Sequence, residues 1–233
     1  MLRSIKKFVG HKLGAKDGHI GHVKDIYFDD QDWAVRYIVA DTGAWLPGRL
    51  VLLAPHALGP WNAQEKLLPI HLTRHQIENS PPADLHKPVS RQYEEEYYRY
   101  YNWPFYWQGG ALWGVSDFPM APLVNMPPVS PPPGKRRRGT NADAHLRSAE
   151  TLMGYQIQGS GQEAFGHVAD FLMDDETWGI DHVVLDMGSW LSGKKVLLSP
   201  FEIEKISWSD SKVFIDSTKS ALEKAPAYES SAA

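Results

Sequence analysis

The sequence predicts a mainly β fold in which two tandem small β-barrels, each with a short C-terminal helix, are joined by a long aromatic and Pro-rich linker. One observation is a duplication: the pattern of residues 25–55 returns in residues 170–200 at a constant offset of 145 residues, from Asp25 to Asp170. A second is the two-residue alternation of side chains within each copy, which is the period of a β-strand. A third is the presence of acidic and glycine-containing turns between these segments.

The duplication indicates a tandem fold, because so many matches without an insertion are not expected by chance. Trp33 and its counterpart Trp178 are expected to be buried, since large aromatic side chains usually are. The positions identical in both copies, in the numbering of the first, are Asp25, Asp29, Asp30, Trp33, Val39, Asp41, Gly43, Trp45, Leu46, Gly48, Val51, Leu52, Leu53 and Pro55. The repeat-equivalent residues to which we assign structural roles are Gly21, Asp25, Trp33 and Trp45, with Gly166, Asp170, Trp178 and Trp190.

The first copy begins with glycine-bounded turns around a short strand in residues 2–20. A strand, an acidic turn and a second strand follow, and then a Gly-bounded loop leads to an apolar strand at Leu50–Ala54. Residues Leu67–Leu72 are predicted to form the strand that closes the first barrel. Thr73–Asn79 predicts a short helix with Thr73 as its cap, because a Ser or Thr before a helical segment and prolines after it are typical of helix ends.

The second copy repeats this order, with a strand predicted at Val213–Ile215 and a helix at Ser217–Lys224. The predicted domains are therefore the first barrel, the linker, the second barrel and a tail. Their ranges are residues 1–81, 82–148, 149–227 and 228–233.

The linker belongs to neither copy. A helical turn or two is expected at Arg91–Arg99, and the Pro-rich composition of residues 118–133 predicts an extended chain. Residues 92–108 are dense in aromatic side chains, which must be covered by the barrels or by a partner to avoid aggregation. The aromatic residues are Tyr93, Tyr97, Tyr98, Tyr100, Tyr101, Trp103, Phe105, Tyr106 and Trp107.

The repeated pattern resembles the PRC-barrel family, the small β-barrel shared by the photosynthetic reaction-centre H subunit and the ribosome maturation factor. The resemblance rests on residues 21–25 and 166–170 leading into a strand, on the acidic turn, and on the apolar strand that ends at Pro55 and Pro200. It implies two small β-barrels, and it implies a docking role with a protein partner, because such barrels act as docking modules. Fold alone does not fix function.

Composition narrows the functional classes. The chain has no cysteine, which excludes disulfides and thiolate metal sites. The first residues hold no apolar run long enough for a signal peptide, and no run of about 20 apolar residues occurs. We therefore expect a cytoplasmic location and no membrane-spanning segment. Residues 149–233 contain 6 basic and 14 acidic side chains, a surface that disfavours nucleic acid.

The carboxylates and histidines have structural explanations. Residues 29–32 and 174–176 supply oxygen ligands for a hard cation, but without the Gly and distal Glu of a calcium loop, so turn formation is the favoured interpretation. His22 with Asp25, and His167 with Asp170, have the residue types of an acid–base pair but lack a nucleophile or a third metal ligand. We therefore expect no catalytic residue, no cofactor and no metal.

The predicted function is a non-catalytic protein-interaction or scaffold module whose partner is another protein or a second copy. The alternatives are an RNA-processing or ribosome-assembly factor and a soluble relative of the reaction-centre H subunit. Weak contact with an anionic surface is assigned to Lys135, Arg136, Arg137 and Arg138. The predicted contact residues are Tyr97, Tyr101, Trp103, Phe105 and Trp107.

Overall fold

The structure is a computed structural model, and it is mainly β, with two sheets of mixed strands and few helices. No helix among the described residues is long and apolar enough to cross a membrane. The basic run at residues 135–138, most of the Pro-rich stretch and Trp190 lie outside the described residues. The described residues are 1–62, 64–83, 89–120, 145–159, 163–188 and 193–228.

The strands and helices follow one order in both copies, except that β12 of the second copy has no counterpart strand in the first. The strands are β1 (Leu2–Ser4), β2 (Lys12–Ala15), β3 (Gly18–Asp29), β4 (Ala34–Asp41), β5 (Leu50–Leu53), β6 (Leu67–Pro69), β7 (Leu146–Ser148), β8 (Gln156–Gly159), β9 (Ala164–Asp174), β10 (Ile180–Asp186), β11 (Lys195–Leu198), β12 (Ile203–Ser207) and β13 (Lys212–Ile215). The helices are α1 (Ile5–Phe8), α2 (Arg74–Glu78), α3 (Arg91–Tyr101), α4 (Ala149–Leu152) and α5 (Lys219–Lys224), with 3-10 turns at Pro55–Ala57 and Pro200–Glu202.

The chain forms two compact units that do not follow the order of the sequence. The first unit comprises residues 8–147 and 175–179. The second unit comprises residues 1–7, 148–174 and 180–233. The described linker residues 89–120 therefore belong to the compact first unit.

The sheet of the first unit has the strand order β5-β4-β3-β2-β6, with β7 also paired to β3. Neighbouring strands are antiparallel except β2 and β6, which are parallel. The second sheet has the order β11-β10-β9-β8-β13-β12, again with one parallel pair, β8 and β13. Both copies thus share a topology, but within the described residues neither hydrogen-bonded path closes, so the expected closed barrel is not detected.

Strand β1 precedes the first copy but belongs to the second sheet. Leu2 pairs with Asp174 and Ser4 with Leu172, antiparallel to β9. The buried carboxylate of Asp170 accepts hydrogen bonds from the Ser4 hydroxyl and from the Lys6 amide, the latter at 2.9 Å. Residues 1–7 were expected with the first copy. Their place differs because Leu-Arg-Ser occurs at the start of both copies, so local sequence does not say which sheet each tripeptide joins.

Gly21 and Gly166 are required by close backbone approach at the same place in each copy. Their φ angles are 122° and 131°, and a Cβ at Gly21 would lie 1.9 Å from the carbonyl oxygen of Asp41. The recurring tryptophans also have positive φ, 51° at Trp33 and 60° at Trp178, a conformation uncommon for side chains of this size. Both are only 6% exposed, which confirms the predicted burial, although Trp178 belongs to the first unit.

The two short C-terminal helices are confirmed. Thr73 caps α2 by accepting from the amide of Gln76, whose side chain in turn accepts from the Thr73 amide, which forms a capping box. Thr218 caps α5 in the same position of the second copy, through the amide of Ala221. Trp45, the remaining described member of the recurring set, is half-buried.

Candidate functional site

Helix α3 is the element that organises the aromatic part of the chain. Ser90 caps it by accepting from the amide of Tyr93, and Asn102 ends it in the left-handed conformation with φ of 56°. Glu95 and Arg99 form an ion pair four residues apart at 3.2 Å. These signals extend the helix over 11 residues, longer than the one or two turns that the sequence predicted.

Tyr97 fixes α3 to the end of strand β5. Its side chain is 0% exposed, and its hydroxyl donates to the carbonyl oxygen of Leu52 at 2.9 Å. The same hydroxyl accepts from the amide of Ala54 at 3.1 Å. A side chain thus supplies the backbone hydrogen bonds that a neighbouring strand would otherwise supply, which satisfies polar groups at the edge of the sheet.

A stack of three parallel rings continues beyond α3. Trp103 lies between Tyr101, at 4.5 Å between ring centroids, and His56, at 5.3 Å, with interplanar angles of 16° and 18°. All three side chains are less than a tenth exposed. The aromatic segment therefore packs on the 3-10 turn that follows β5 and covers that face of the first unit.

Arg36 lies beneath this cover and is 0% exposed. Its guanidinium donates to the carbonyl oxygen of Leu112 at 2.8 Å and to the carboxylate of Asp32 at 2.9 Å. Its central carbon lies 3.9 Å from the centre of the Tyr106 ring and 5.0 Å from that of Trp113. The buried charge is thus paired and also placed on aromatic faces, as buried charges generally require.

Glu94 is the second buried charge. Its carboxylate accepts from the hydroxyls of Tyr37 at 3.1 Å and Tyr106 at 2.7 Å, and lies 2.9 Å from the Arg91 guanidinium. Burial raises the pKa of Glu94, an effect opposed by Arg91 and by the tyrosine hydroxyls. Arg91 also donates to Nε2 of His145 at 3.0 Å.

His56 is buried without hydrogen-bond partners. Its side chain is 6% exposed, and neither ring nitrogen has a partner in the described part of the chain. The rings of Tyr98, Trp103 and Trp113 surround it at 5.0 to 5.5 Å. Burial, with a smaller contribution from the Arg36 charge, lowers the pKa of His56 to about 3, so the imidazole is neutral.

The five predicted contact residues divide into two groups. Tyr97, Tyr101 and Trp103 are buried and make their contacts within the first unit. Phe105 and Trp107 are half-buried and stack on each other at 4.7 Å. Sequence reasoning missed several residues of the buried cluster, although Arg36 stands out as the one charged residue in the apolar run 34–40. The missed residues are Arg36, His56, Glu94 and Trp113.

The candidate His–Asp pair is not assembled. His22 is half exposed and its Nε2 lies 4.0 Å from the carboxylate of Asp41, not beside Asp25. Asp25 is buried and accepts from the amide of Ile26 at 2.7 Å. In the second copy, Asp170 accepts in the same way from the amide of Phe171 at 2.8 Å.

The carboxylates of the first acidic turn bond to groups of the protein itself. Asp29 accepts from the amides of Gln31 at 2.9 Å and Asp32 at 3.3 Å, which is the predicted turn chemistry. Asp30 pairs with Arg147 at 2.6 Å. Among the described residues, no group of three or more His, Asp or Glu side chains is arranged to hold a metal ion.

The face that α3 covers has a different character in the second copy. The counterpart of Arg36 is the exposed Asp181, and the counterpart of Tyr37 is the half-buried His182. His56 corresponds to Phe201, which is 81% exposed on the turn Pro200–Glu202. The same position of the repeat is therefore covered in the first unit and open in the second.

A cavity of about 670 Å³ lies in the first unit, where residues of the aromatic segment form part of its wall. Its buried lining residues are His56, Ala57, Leu72, Tyr101 and Trp103. Its size is that of a small-molecule site.

No protein-family profile matches the sequence, and no curated protein is significantly similar to it.

Proposed function

We propose that this chain is a non-catalytic interaction protein of two tandem PRC-barrel-like repeats, and that the second repeat binds a protein partner. The observation that supports this is the contrast between His56 and Phe201. At one position of the duplicated fold, the first copy places a ring that is 6% exposed beneath its own aromatic segment, and the second copy leaves a ring 81% exposed.

The first unit illustrates what this face accepts. Tyrosine rings pack on it, and the Tyr97 hydroxyl bonds to the backbone at the end of β5. Aromatic side chains, Phe among them, are enriched in protein interfaces, so an exposed phenylalanine on a surface turn is a suitable contact residue. The exposed carboxylates Asp181, Glu202 and Glu204 lie on the same elements of the second unit as Phe201 or next to them, and they outnumber the one exposed lysine of β12, Lys205. The partner that fits is therefore a protein with an apolar pocket bordered by basic groups.

The test places a photo-crosslinking residue at the proposed contact. The full chain is prepared with p-benzoylphenylalanine in place of Phe201 and, as a matched control, in place of Phe118, which is 49% exposed in the first unit. We expect one partner with a basic surface to be crosslinked in native extract from position 201 and not from position 118. With that partner purified, Phe201→Ser should weaken binding by about tenfold or more, as loss of an aromatic anchor does.

Four results would count against the proposal. Equal products from both positions would indicate non-specific contact, and an unchanged affinity of Phe201→Ser would remove the anchor. Products that contain only a second copy of this chain would make the surface a self-association site. Recovery of ribosomal proteins would instead favour a ribosome-assembly factor.

A further inference from the structure

The cavity in the first unit is built from elements whose backbone is already bonded. The Lys16 amide donates to the carbonyl oxygen of Leu72 at 3.0 Å, and the His71 amide donates to that of Ala57 at 2.7 Å. The Tyr100 hydroxyl donates to the carbonyl oxygen of Gln76 at 2.9 Å. The cavity is therefore bounded by hydrogen-bonded turns and helix ends. The groups that remain available to contact a ligand are side chains.

The second copy provides an internal comparison for this cavity. Ala57 and Leu72 correspond to Glu202 and Ser217, and in the second unit the Ser217 hydroxyl donates to the Glu202 carboxylate at 3.0 Å. The place that a polar, hydrogen-bonded pair fills in one copy is thus apolar in the other. Ala57 is 1% and Leu72 is 7% exposed, so this apolar pair forms the floor of the cavity.

The charge at the cavity also differs from that of the second copy. His71 at the rim corresponds to Asp216. Lys16, also at the rim, is exposed, and no carboxylate of the described residues lies within ion-pair distance of its ammonium group. Among the described residues that line the cavity there is no Asp or Glu. The first copy therefore combines an apolar floor with a lysine at the rim, and it has a histidine at the rim position where the second copy has an aspartate.

We propose that this cavity binds a small planar organic anion of the aromatic carboxylate class. The ring of the ligand contacts Leu72, Ala57 and the ring of Tyr100, which is 43% exposed. Its carboxylate pairs with the ammonium of Lys16. Trp103 is stacked on both faces by Tyr101 and His56, so it offers the ligand its edge and keeps the wall rigid. This site lies on the first unit and does not depend on the partner surface around Phe201.

The test is equilibrium binding to the full chain, by calorimetry, of two probes of one shape. Naphthalene-1-carboxylate carries the negative charge and naphthalen-1-ylmethanol does not. We expect the carboxylate to bind one-to-one and the alcohol to bind about two- to fivefold more weakly, the difference expected of one accessible ion pair. Lys16→Gln should lower the affinity for the carboxylate to that for the alcohol and leave the alcohol unchanged.

Two further variants locate the binding. Ala57→Glu installs the residue of the second copy in the floor and should abolish binding of both probes. Tyr100→Ser removes an exposed ring from the rim and should weaken both probes, while leaving the fold intact by circular dichroism. Lys12→Gln, an exposed lysine of the same unit that does not line the cavity, is the matched control and should bind like the parent.

The proposal would be overturned by any of three results. One is equal affinity of the two probes. Another is equal weakening of both probes by Lys16→Gln. The last is the absence of binding at millimolar probe, or binding that persists in both Ala57→Glu and Tyr100→Ser. Because none of these variants alters Phe201, failure here is distinct from failure of the partner experiment.

Discussion

Single residues acquire different properties in the two copies because their neighbours differ. His56 and Phe201 occupy one position of the repeat, on the same 3-10 turn after the same apolar strand. Under the aromatic cover, His56 has no hydrogen-bond partner among the described residues, and its pKa falls to about 3. The residue of the second copy is therefore the natural replacement with which to measure what this burial costs.

We predict that His56→Phe reduces the acid sensitivity of the first unit. The folded pKa of His56, about 3, lies below its ordinary value of 6.5, so its contribution to stability is complete above pH 6.5 and is lost as the pH falls toward 3. The parent should lose up to about 1.4 kcal/mol per pH unit in this window through His56. Urea denaturation at pH 7, 6, 5 and 4 should show a smaller loss in the variant.

The comparison must be a difference between variant and parent. The pKa of Glu94 is raised by burial, and its effect on stability has the opposite sign, since that contribution is lost as the pH rises. His75→Phe, at an exposed position of α2, is the matched control and should keep the slope of the parent. A His56→Phe protein with the slope of the parent would contradict the burial argument.

At the scale of elements, helix α3 behaves as part of the first unit and not as a tether. Tyr97, Tyr98 and Tyr101 of this helix are buried, and the Tyr97 hydroxyl bonds to the backbone at the end of β5. Eleven residues of helix are short for independent stability in water, so the helix depends on this packing.

We predict that Tyr97→Phe destabilises the first unit by about 1–3 kcal/mol, because the buried amide of Ala54 and carbonyl of Leu52 lose the hydroxyl. Tyr100→Phe is the matched control. The Tyr100 hydroxyl also bonds to a carbonyl, but its side chain is 43% exposed, so water replaces the lost bond. Thermal unfolding of both variants measures the difference, and equal melting temperatures would show that the Tyr97 hydroxyl adds nothing.

At the scale of the whole molecule, sequence order and structural units differ. The residues before the first copy supply strand β1 and the fully buried Ile5 to the second unit. Damage near the N-terminus should therefore affect the copy that is most distant along the chain.

We predict that Ile5→Ala destabilises the second unit by about 2–5 kcal/mol, the usual cost of truncating a large buried side chain. Hydrogen exchange measured by mass spectrometry should become faster in β9 and β10 and remain unchanged in β4. Val9→Ala, at a side chain 41% exposed, is the control and should change neither. Faster exchange confined to β4 would instead assign Ile5 to the first unit.

The sequence by itself determined the local elements and their repetition. The alternation of side chains predicted the strands, and the acidic turn predicted that Asp29 bonds to nearby backbone amides. Thr73 and the prolines after residue 80 predicted the two ends of α2. These predictions succeeded because each signal acts over only a few residues. The size of the Trp33 and Trp178 side chains was the basis for the correct prediction that both are buried.

Only the tertiary structure decided which partners those elements take. The tripeptide Leu-Arg-Ser starts both copies, so the pairing of β1 with β9 depends on contacts between residues far apart in the chain. The three consecutive glutamates of α3 are equivalent in sequence, and packing selects Glu94 for burial beside Tyr37. Local signals set the conformation of a segment, but its partners follow from which surfaces exclude water together, and that is a property of the folded chain.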